Sequence, residues 1–225
     1  MNGPLLAELI AVRRAGRSIV LATWLDGGDQ QLVDPLAPPD ELASAIARVI
    51  AHDQTEVIET VAGRVLLEPH LAPLRLVIVG AVHVAQPLAQ MATLAGFAVT
   101  IVDPRRAWAT AVRFPGQALV TAWPDVAVAQ LGLDARTAIV TLTHDPKLDD
   151  PALLAALATP VFYVGCLGSQ KTHASRRLRL AALGVTDDAL ARLHGPVGLR
   201  IGARTPAEIA VAILGEIIAT LRGPR

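Results

Sequence analysis

The chain has 225 residues, 52% of them hydrophobic, which is material for one domain with a smaller companion. Twenty basic side chains balance twenty acidic ones, so no net field draws the phosphate backbone of a nucleic acid, and nucleic acid is excluded as a partner. Cys166 is the only cysteine, which rules out an intrachain disulfide or a multi-cysteine metal cluster and points to a reducing compartment.

From Leu5 to Arg14 apolar residues recur at helical spacing and Gly16 ends the run. Ser18 to Thr23 reads as a strand, Asp26-Gly27-Gly28-Asp29 as a turn, and Asp40 as the N-cap of a helix carrying Leu42, Ile46, Val49 and Ile50. Short β-type runs at Thr55 to Val61 and Arg64 to Leu67 flank Ala62-Gly63. These elements form a small N-terminal α+β unit over residues 1–72, and Pro69 and Pro73 bracket the joint. The absence of a basic patch followed by an apolar core predicts no signal peptide and a cytoplasmic protein.

Residues 73–225 change rhythm to strand and helix in alternation. Strands are expected at Arg75 to Val79, Ala98 to Val102, Ala118 to Val120, Ala138 to Leu142 and Val161 to Val164. Helices are expected at Val84 to Ala95, Asp125 to Leu131, Pro151 to Ala158, Gln170 to Leu183 and Pro206 to Leu221, the last with Thr205 as N-cap. Continuous apolar strands alternating with helices predict an α/β class, with a Rossmann-like parallel sheet covered on both faces. Leu76 to Val102 carries no formal charge and is long enough for a membrane span, but Gly80, His83, Gln86, Pro87, Gln90 and Gly96 divide it into strand, turn, helix and strand. No membrane partner is expected.

The run Leu76-Val77-Ile78-Val79-Gly80-Ala81-Val82-His83-Val84-Ala85 has the context of a dinucleotide fingerprint. Gly80 supplies the tight turn, Ala85 lets helix and strand approach, and the helix N-terminus offers N–H groups to an anion. Asp103 ends the next strand 23 residues after Gly80, where a carboxylate can take ribose hydroxyls. Val82 stands where the fingerprint has its second glycine, and Pro87 falls early enough to kink or delay the helix. Arg105 and Arg106 read either as phosphate contacts or as solvated surface.

Ligands of open α/β sheets gather beyond the carboxyl ends of the strands. His144 and Asp145 follow the fourth strand of this sheet, suited to hydrogen-bonding a ligand, shuttling a proton or holding a metal; the bland reading is that Asp145 caps the next turn. Gly165-Cys166-Leu167-Gly168-Ser169-Gln170-Lys171-Thr172 follows the fifth, with glycines, a hydroxyl and a cation ahead of a helix, an anion cradle without Walker A spacing; Ser169 also reads as a plain N-cap. Cys166 reads as a small buried filler ahead of a sulfur acceptor, since no base is identifiable as its partner. Three glycines between Gly195 and Gly202 suggest backbone in unusual conformations or close to a ligand.

Together, Val77 to Ala85, Val102-Asp103-Pro104-Arg105, Arg113-Phe114-Pro115, Thr143 to Asp149, Tyr163 to Ser169 and Ile201 to Ala210 resemble the XdhC/CoxI family, a resemblance spanning about residues 75 to 222. It implies an accessory protein for xanthine dehydrogenase and related molybdenum hydroxylases, one that binds the molybdenum cofactor (a molybdopterin), protects it during sulfuration by a cysteine desulfurase and delivers it to the apoenzyme. Two departures stand out: Val82 replaces the family's usual glycine, and residues 1–74 carry neither its Gly-Ser-Ser-Pro-Arg-like nor its Ser-Gly-Gly-Cys-like stretch. The expected cleft comprises Gly80, Ala81, Val82, His83, Asp103, Arg105, His144, Asp145, Gly165, Gly168, Ser169 and Lys171, with no catalytic residue and no metal ligand. Partners implied are an apo molybdenum hydroxylase and the desulfurase, with a homodimer left open. The alternatives are an NAD(P)-binding oxidoreductase and a scaffold whose Rossmann cleft binds nothing.

Overall fold

The computed structural model describes residues 3–223 and divides the chain into two compact units, Met1–Pro73 and Leu74–Arg225. The first contains α1 (Gly3–Arg14), β1 (Ile19–Trp24), β2 (Gln30–Val33), α2 (Asp40–His52), β3 (Glu56–Thr60) and β4 (Gly63–His70). Its strands form an antiparallel sheet in the order β2-β1-β4-β3. Alternate residues Val20, Ala22, Val65 and Leu67 face one way and meet Leu42, Ala45, Ile46 and Val49, which line one side of α2 at helical spacing. Asp40 is the first helical residue of α2 and not its cap; Pro39 holds the cap position with no side-chain bond, and the charges of Asp40 and Glu41 favour the helix start instead.

The second unit runs β5 (Arg75–Val79), α3 (Ala85–Leu94), β6 (Ala98–Val102), β7 (Ala118–Val120), α4 (Pro124–Leu131), β8 (Thr137–Thr141), α5 (Pro146–Leu157), β9 (Tyr163–Cys166), α6 (Gln170–Ala182), α7 (Asp187–Ala191), β10 (Leu193–His194) and α8 (Pro206–Arg222). All strands are parallel, in the order β10-β9-β8-β5-β6-β7. This is the doubly wound order whose direction reverses between β5 and β8, the position beyond whose carboxyl ends sheets of this kind take their ligands. The uninterrupted apolar runs follow from burial on both faces. Leu76, Ile78 and Val140 pack on one side against Leu88 and Ala92 of α3 and Ile213 and Ile217 of α8. Val77, Val79, Ile139 and Val164 pack on the other against Val128, Leu153, Ala156 and Leu180 of α4, α5 and α6. The charge-free stretch from Leu76 to Val102 is thus β5, α3 and β6, and no described helix is long and apolar enough to cross a membrane.

Several boundaries differ from expectation for local reasons. Pro87 is the third residue of α3, where an N–H would lack an intrahelical acceptor, so it neither kinks nor delays the helix. Helix α5 begins at Pro146 and carries Pro151 in its interior; Asp145 accepts a bond from the Lys147 N–H as N-cap, and Pro146 is already set for the first turn. Strand β9 reaches Cys166 because β8 and the short β10 pair with it on either side, Val140 and His194 both opposite Gly165. Thr205 caps α8 as expected, within a full capping box closed by Glu208.

Two substitutions probe this packing. Thr205→Ala removes the capping box and is expected to cost about 1 kcal/mol in chemical denaturation, while Thr205→Ser retains it. Gly80 has φ +107, and a Cβ there would lie 2.5 Å from Thr143 Cγ2. Gly80→Ala should therefore cost about 2–4 kcal/mol; an unchanged unfolding midpoint would mean that β5 and β8 do not approach as described.

Candidate functional site

The turn after β5 is closed by the chain itself. Gly80 lies flush against Thr143 in the loop after β8, so the space a Cβ would need is filled by a side chain. Ala81 is buried, and its N–H donates to Asp103 Oδ2 at 2.8 Å. Val82 packs partly into the core, and His83 is exposed. Among sequence-predicted contacts Asp103 needs correction: it is 1% exposed, with Oδ1 accepting from the Arg105 N–H and Nε at 2.9 Å each and Oδ2 from Arg105 Nη2 at 2.7 Å. Burial pushes this carboxyl up, but the Arg105 hydrogen bonds and the Ala81 N–H outweigh it and hold its pKa below the usual range. An ionised, internally saturated carboxylate has no free face for ribose hydroxyls.

Arg105 is the outward-facing half of that pair, its guanidinium 4.9 Å from the Trp108 ring centroid. With Pro104, Trp123, Asp145, Lys147 and Leu148 it lines a cavity of about 340 Å³. His144, exposed beside it, has φ +62, a left-handed conformation costly for a side-chain-bearing residue. The loop beneath is pinned: Thr143 Oγ1 donates to Asp149 Oδ1 at 2.6 Å, and Arg176 Nη2 donates to Asp149 Oδ2 at 3.3 Å and to the Leu167 carbonyl at 3.1 Å. Burial raises the Asp149 pKa, against the pull of Thr143 and Arg176. Through Thr143, Asp149 and Arg176 the loops after β5, β8 and β9 are tied into one edge.

The loop after β9 divides by residue. Gly165 requires a second correction: it is buried in the ladder, and a Cβ would strike Val197 Cγ2 at 2.7 Å, so chain packing alone explains this glycine. Cys166 has a partner that the sequence did not disclose, His173 Nδ1 at 3.6 Å from Sγ, one helical turn into α6. The thiol is nonetheless fully buried, and burial pushes it up to about 11, the environment of a space-filling cysteine. Gly168, Ser169 and Lys171 lead into α6, where the Ser169 side chain accepts from the Thr172 N–H at 3.1 Å and Lys171 is exposed. Beneath them Arg176 is 2% exposed, and its Nε and Nη1 make no hydrogen bond.

A cavity of about 660 Å³ lies beyond β9 and β10, between the first residue of α6, the 195–203 loop and α8. The glycine-rich loop singled out in the sequence, with Gly195, Gly198 and Gly202, lines it, whereas none of the residues of the expected cleft does. Its polar walls are Gln170, His194, Arg200 and Glu216. Glu216 accepts from Tyr163 O–H at 2.5 Å and from the Gly198 N–H at 2.7 Å, and His194 Nδ1 lies 3.3 Å from its other oxygen while its ring stacks on Tyr163. Burial raises the Glu216 carboxyl, and the His194, Tyr163 and Gly198 hydrogen bonds lower it further than burial raises it, leaving it ionised. The available signal was Glu216 itself, a lone carboxylate amid Ile213, Leu214, Ile217 and Ile218. Among the described residues no cluster of three or more His, Cys, Asp or Glu side chains is placed to hold a metal ion.

Comparison with known proteins supplies the family. The XdhC Rossmann domain matches residues 76–217. Over 147 residues the chain is 35% identical to a probable xanthine dehydrogenase component of Bacillus subtilis, covering 65% of this chain and 42% of that protein. Over 91 residues it is 35% identical to the molybdenum cofactor insertion chaperone PaoD of Escherichia coli, covering 40% of this chain and 29% of that one. It is also 35% identical over 144 residues to YqeB of Escherichia coli, 64% of this chain and 27% of that protein, so the chain spans less than half the length of these relatives. A crystal structure of a xanthine dehydrogenase from Bacillus halodurans shares the fold, with a TM-score of 0.70 at 22% identity over 96% of this chain and 63% of that one. The chain belongs to the XdhC family through the Rossmann domain formed by residues 76–217.

Proposed function

We propose that the protein binds the molybdenum cofactor in the cytoplasm, assists its sulfuration by a cysteine desulfurase and inserts it into a xanthine dehydrogenase-type molybdenum hydroxylase. The observation that carries this reading is family membership over residues 76–217, together with 35% identity to a relative named as a molybdenum cofactor insertion chaperone. Residues 73–225 form the binding unit in this reading.

The residues present fit such a ligand. The cofactor is a phosphorylated pterin, and the carboxyl edge of the sheet offers an anion the first-turn N–H groups of α6, with Gly168, Ser169 and Lys171 around them. The buried Arg176 guanidinium, with two nitrogens unpartnered, adds positive charge beneath that turn. In this reading Arg105 and Asp145, which line the cavity of about 340 Å³, and His144 contact the ligand from the carboxyl edge, with Gly80, Ala81, Val82, His83 and Asp103 shaping the turn beside it. The groups on offer bind and shield; the one thiol is buried and protonated. A freely exchanging NAD(P) is a poorer fit, because Asp103 is saturated by Arg105 and Ala81, and Val82 takes the place of the glycine that admits a pyrophosphate.

Purified from a molybdenum-replete host, the protein is expected to carry pterin and molybdenum in near-equal amounts and to raise the activity of an apo-hydroxylase when mixed with it. Micromolar binding of NAD(H) or NADP(H) with turnover, and no pterin, would overturn the reading.

A further inference from the structure

Helix α8 is apolar on more sides than its place in the sheet requires. Glu208, Glu216 and Arg222 are its charged residues, and Glu216 lines the 660 Å³ cavity. Ala210, Ile213 and Ile217 enter the core beneath it. On the outer side Val211 and Ile218 are 49% and 38% exposed. A helix that is apolar all round is ordinarily covered all round.

The 195–203 loop widens this outer face. The Leu199 N–H donates to the Ala212 carbonyl at 3.1 Å, and Leu199 Cδ1 lies 3.0 Å from the point where a Cβ on Gly215 would stand, so the glycine seats the leucine against the helix. Leu199 is itself 44% exposed, and Ile201, two residues along the loop, 55%. Residues three and four apart share a helix face, which sets Val211 and Ile218 on either side of Gly215 and its leucine. Single exposed apolar side chains need no explanation, whereas a contiguous set marks a contact surface.

The order of residues along the face names what covers it. Glu208, Val211, Gly215, Ile218 and Arg222 follow at intervals of three, four, three and four, the spacing that forms the seam between two packed helices. The ends of this stripe are exposed and opposite in charge, Glu208 seven residues before Gly215 and Arg222 seven after it. Glu208 accepts the Arg204 and Thr205 N–H groups through Oε2, so Oε1 can take a further donor. A copy of the stripe turned end for end about Gly215 sets Glu208 against Arg222 at both ends, with apolar residues between them. A parallel copy sets like charges together. The face is complementary to itself, as a two-fold interface requires.

We propose that α8 forms a homodimer interface in which two copies of the chain pack antiparallel about a two-fold axis near Gly215. Leu199, Val211 and Ile218 lie at its centre, and Glu208 pairs with the partner's Arg222 at each end. Because Leu199 also lines the 660 Å³ cavity, the partner copy bears on the loop that forms one wall of that cavity.

The test is sedimentation equilibrium of the full chain from micromolar to submillimolar concentration. The unaltered protein is expected to be a dimer that dissociates on dilution, and Val211→Asp, at an exposed position, to be a monomer throughout. Arg222→Glu and Glu208→Arg each place like charges at both ends, and each alone should raise the dissociation constant about tenfold. Mixed in equal amounts, these two variants should form a heterodimer about as tight as the unaltered dimer, because each end again joins opposite charges; a fault in either variant's own folding would not be repaired by mixing. A monomer at every concentration would overturn the interface, as would a dimer indifferent to Val211→Asp and Arg222→Glu. A mixture no tighter than its components would overturn the antiparallel pairing.

Discussion

A buried ion pair, Arg176 with Asp149, holds the carboxyl edge of the sheet together. Asp149 is wholly buried and Arg176 nearly so, and their partners are Thr143 after β8 and the Leu167 carbonyl after β9. Burying two charges costs several kcal/mol per ion before their attraction repays it, so the pair is a poor source of net stability. What it contributes is position, since losing either partner strands the other charge at a cost of about 3–5 kcal/mol. A second pair, Arg179 bidentate on Asp150 at 2.6 and 3.0 Å, joins the same two helices nearer the surface. The loops at that edge are thereby fixed to α5 and α6 and inherit the rigidity of helices.

That arrangement explains why a fingerprint-like turn need not be the anion site. The glycine after β5 is required by contact with Thr143, and the acidic residue after β6 is consumed by Ala81 and Arg105. Both features of the dinucleotide pattern are present and both serve the scaffold. Unsatisfied donors and open volume collect instead at β9, β10 and α6, where Arg176 Nε and Nη1 have no hydrogen-bond partner and the larger of these cavities lies. Fold and ligand position are separable, as expected when one scaffold hosts many functions.

Sequence makes legible whatever is local and repeated. The apolar runs of β5, β6 and β8, the break at Gly80 and the Thr205 N-cap all carry their signal within a few residues. The doubly wound class follows from their alternation. What escapes is short or distant. Strand β10 has two residues and α7 five, too few for periodicity to register. Pro151 reads as a helix start because the true start, Asp145 with Pro146, reads equally as part of a site. The closure of Asp103 depends on an N–H 22 residues away, the Cys166 contact on a turn of α6, and the Glu216 network on Tyr163, 53 residues distant. Sequence therefore points to the carboxyl edge of the sheet, while which loops there are filled by the chain itself and which stay open depends on contacts between distant residues.

Amide chemical shifts followed during a titration with inorganic phosphate discriminate most directly between the two ends of that edge. Gly168, Ser169, Gln170 and Lys171 are expected to move together and saturably, with Ala81 to Val84 unmoved. The opposite pattern, with the turn after β5 responding and α6 silent, would contradict the account.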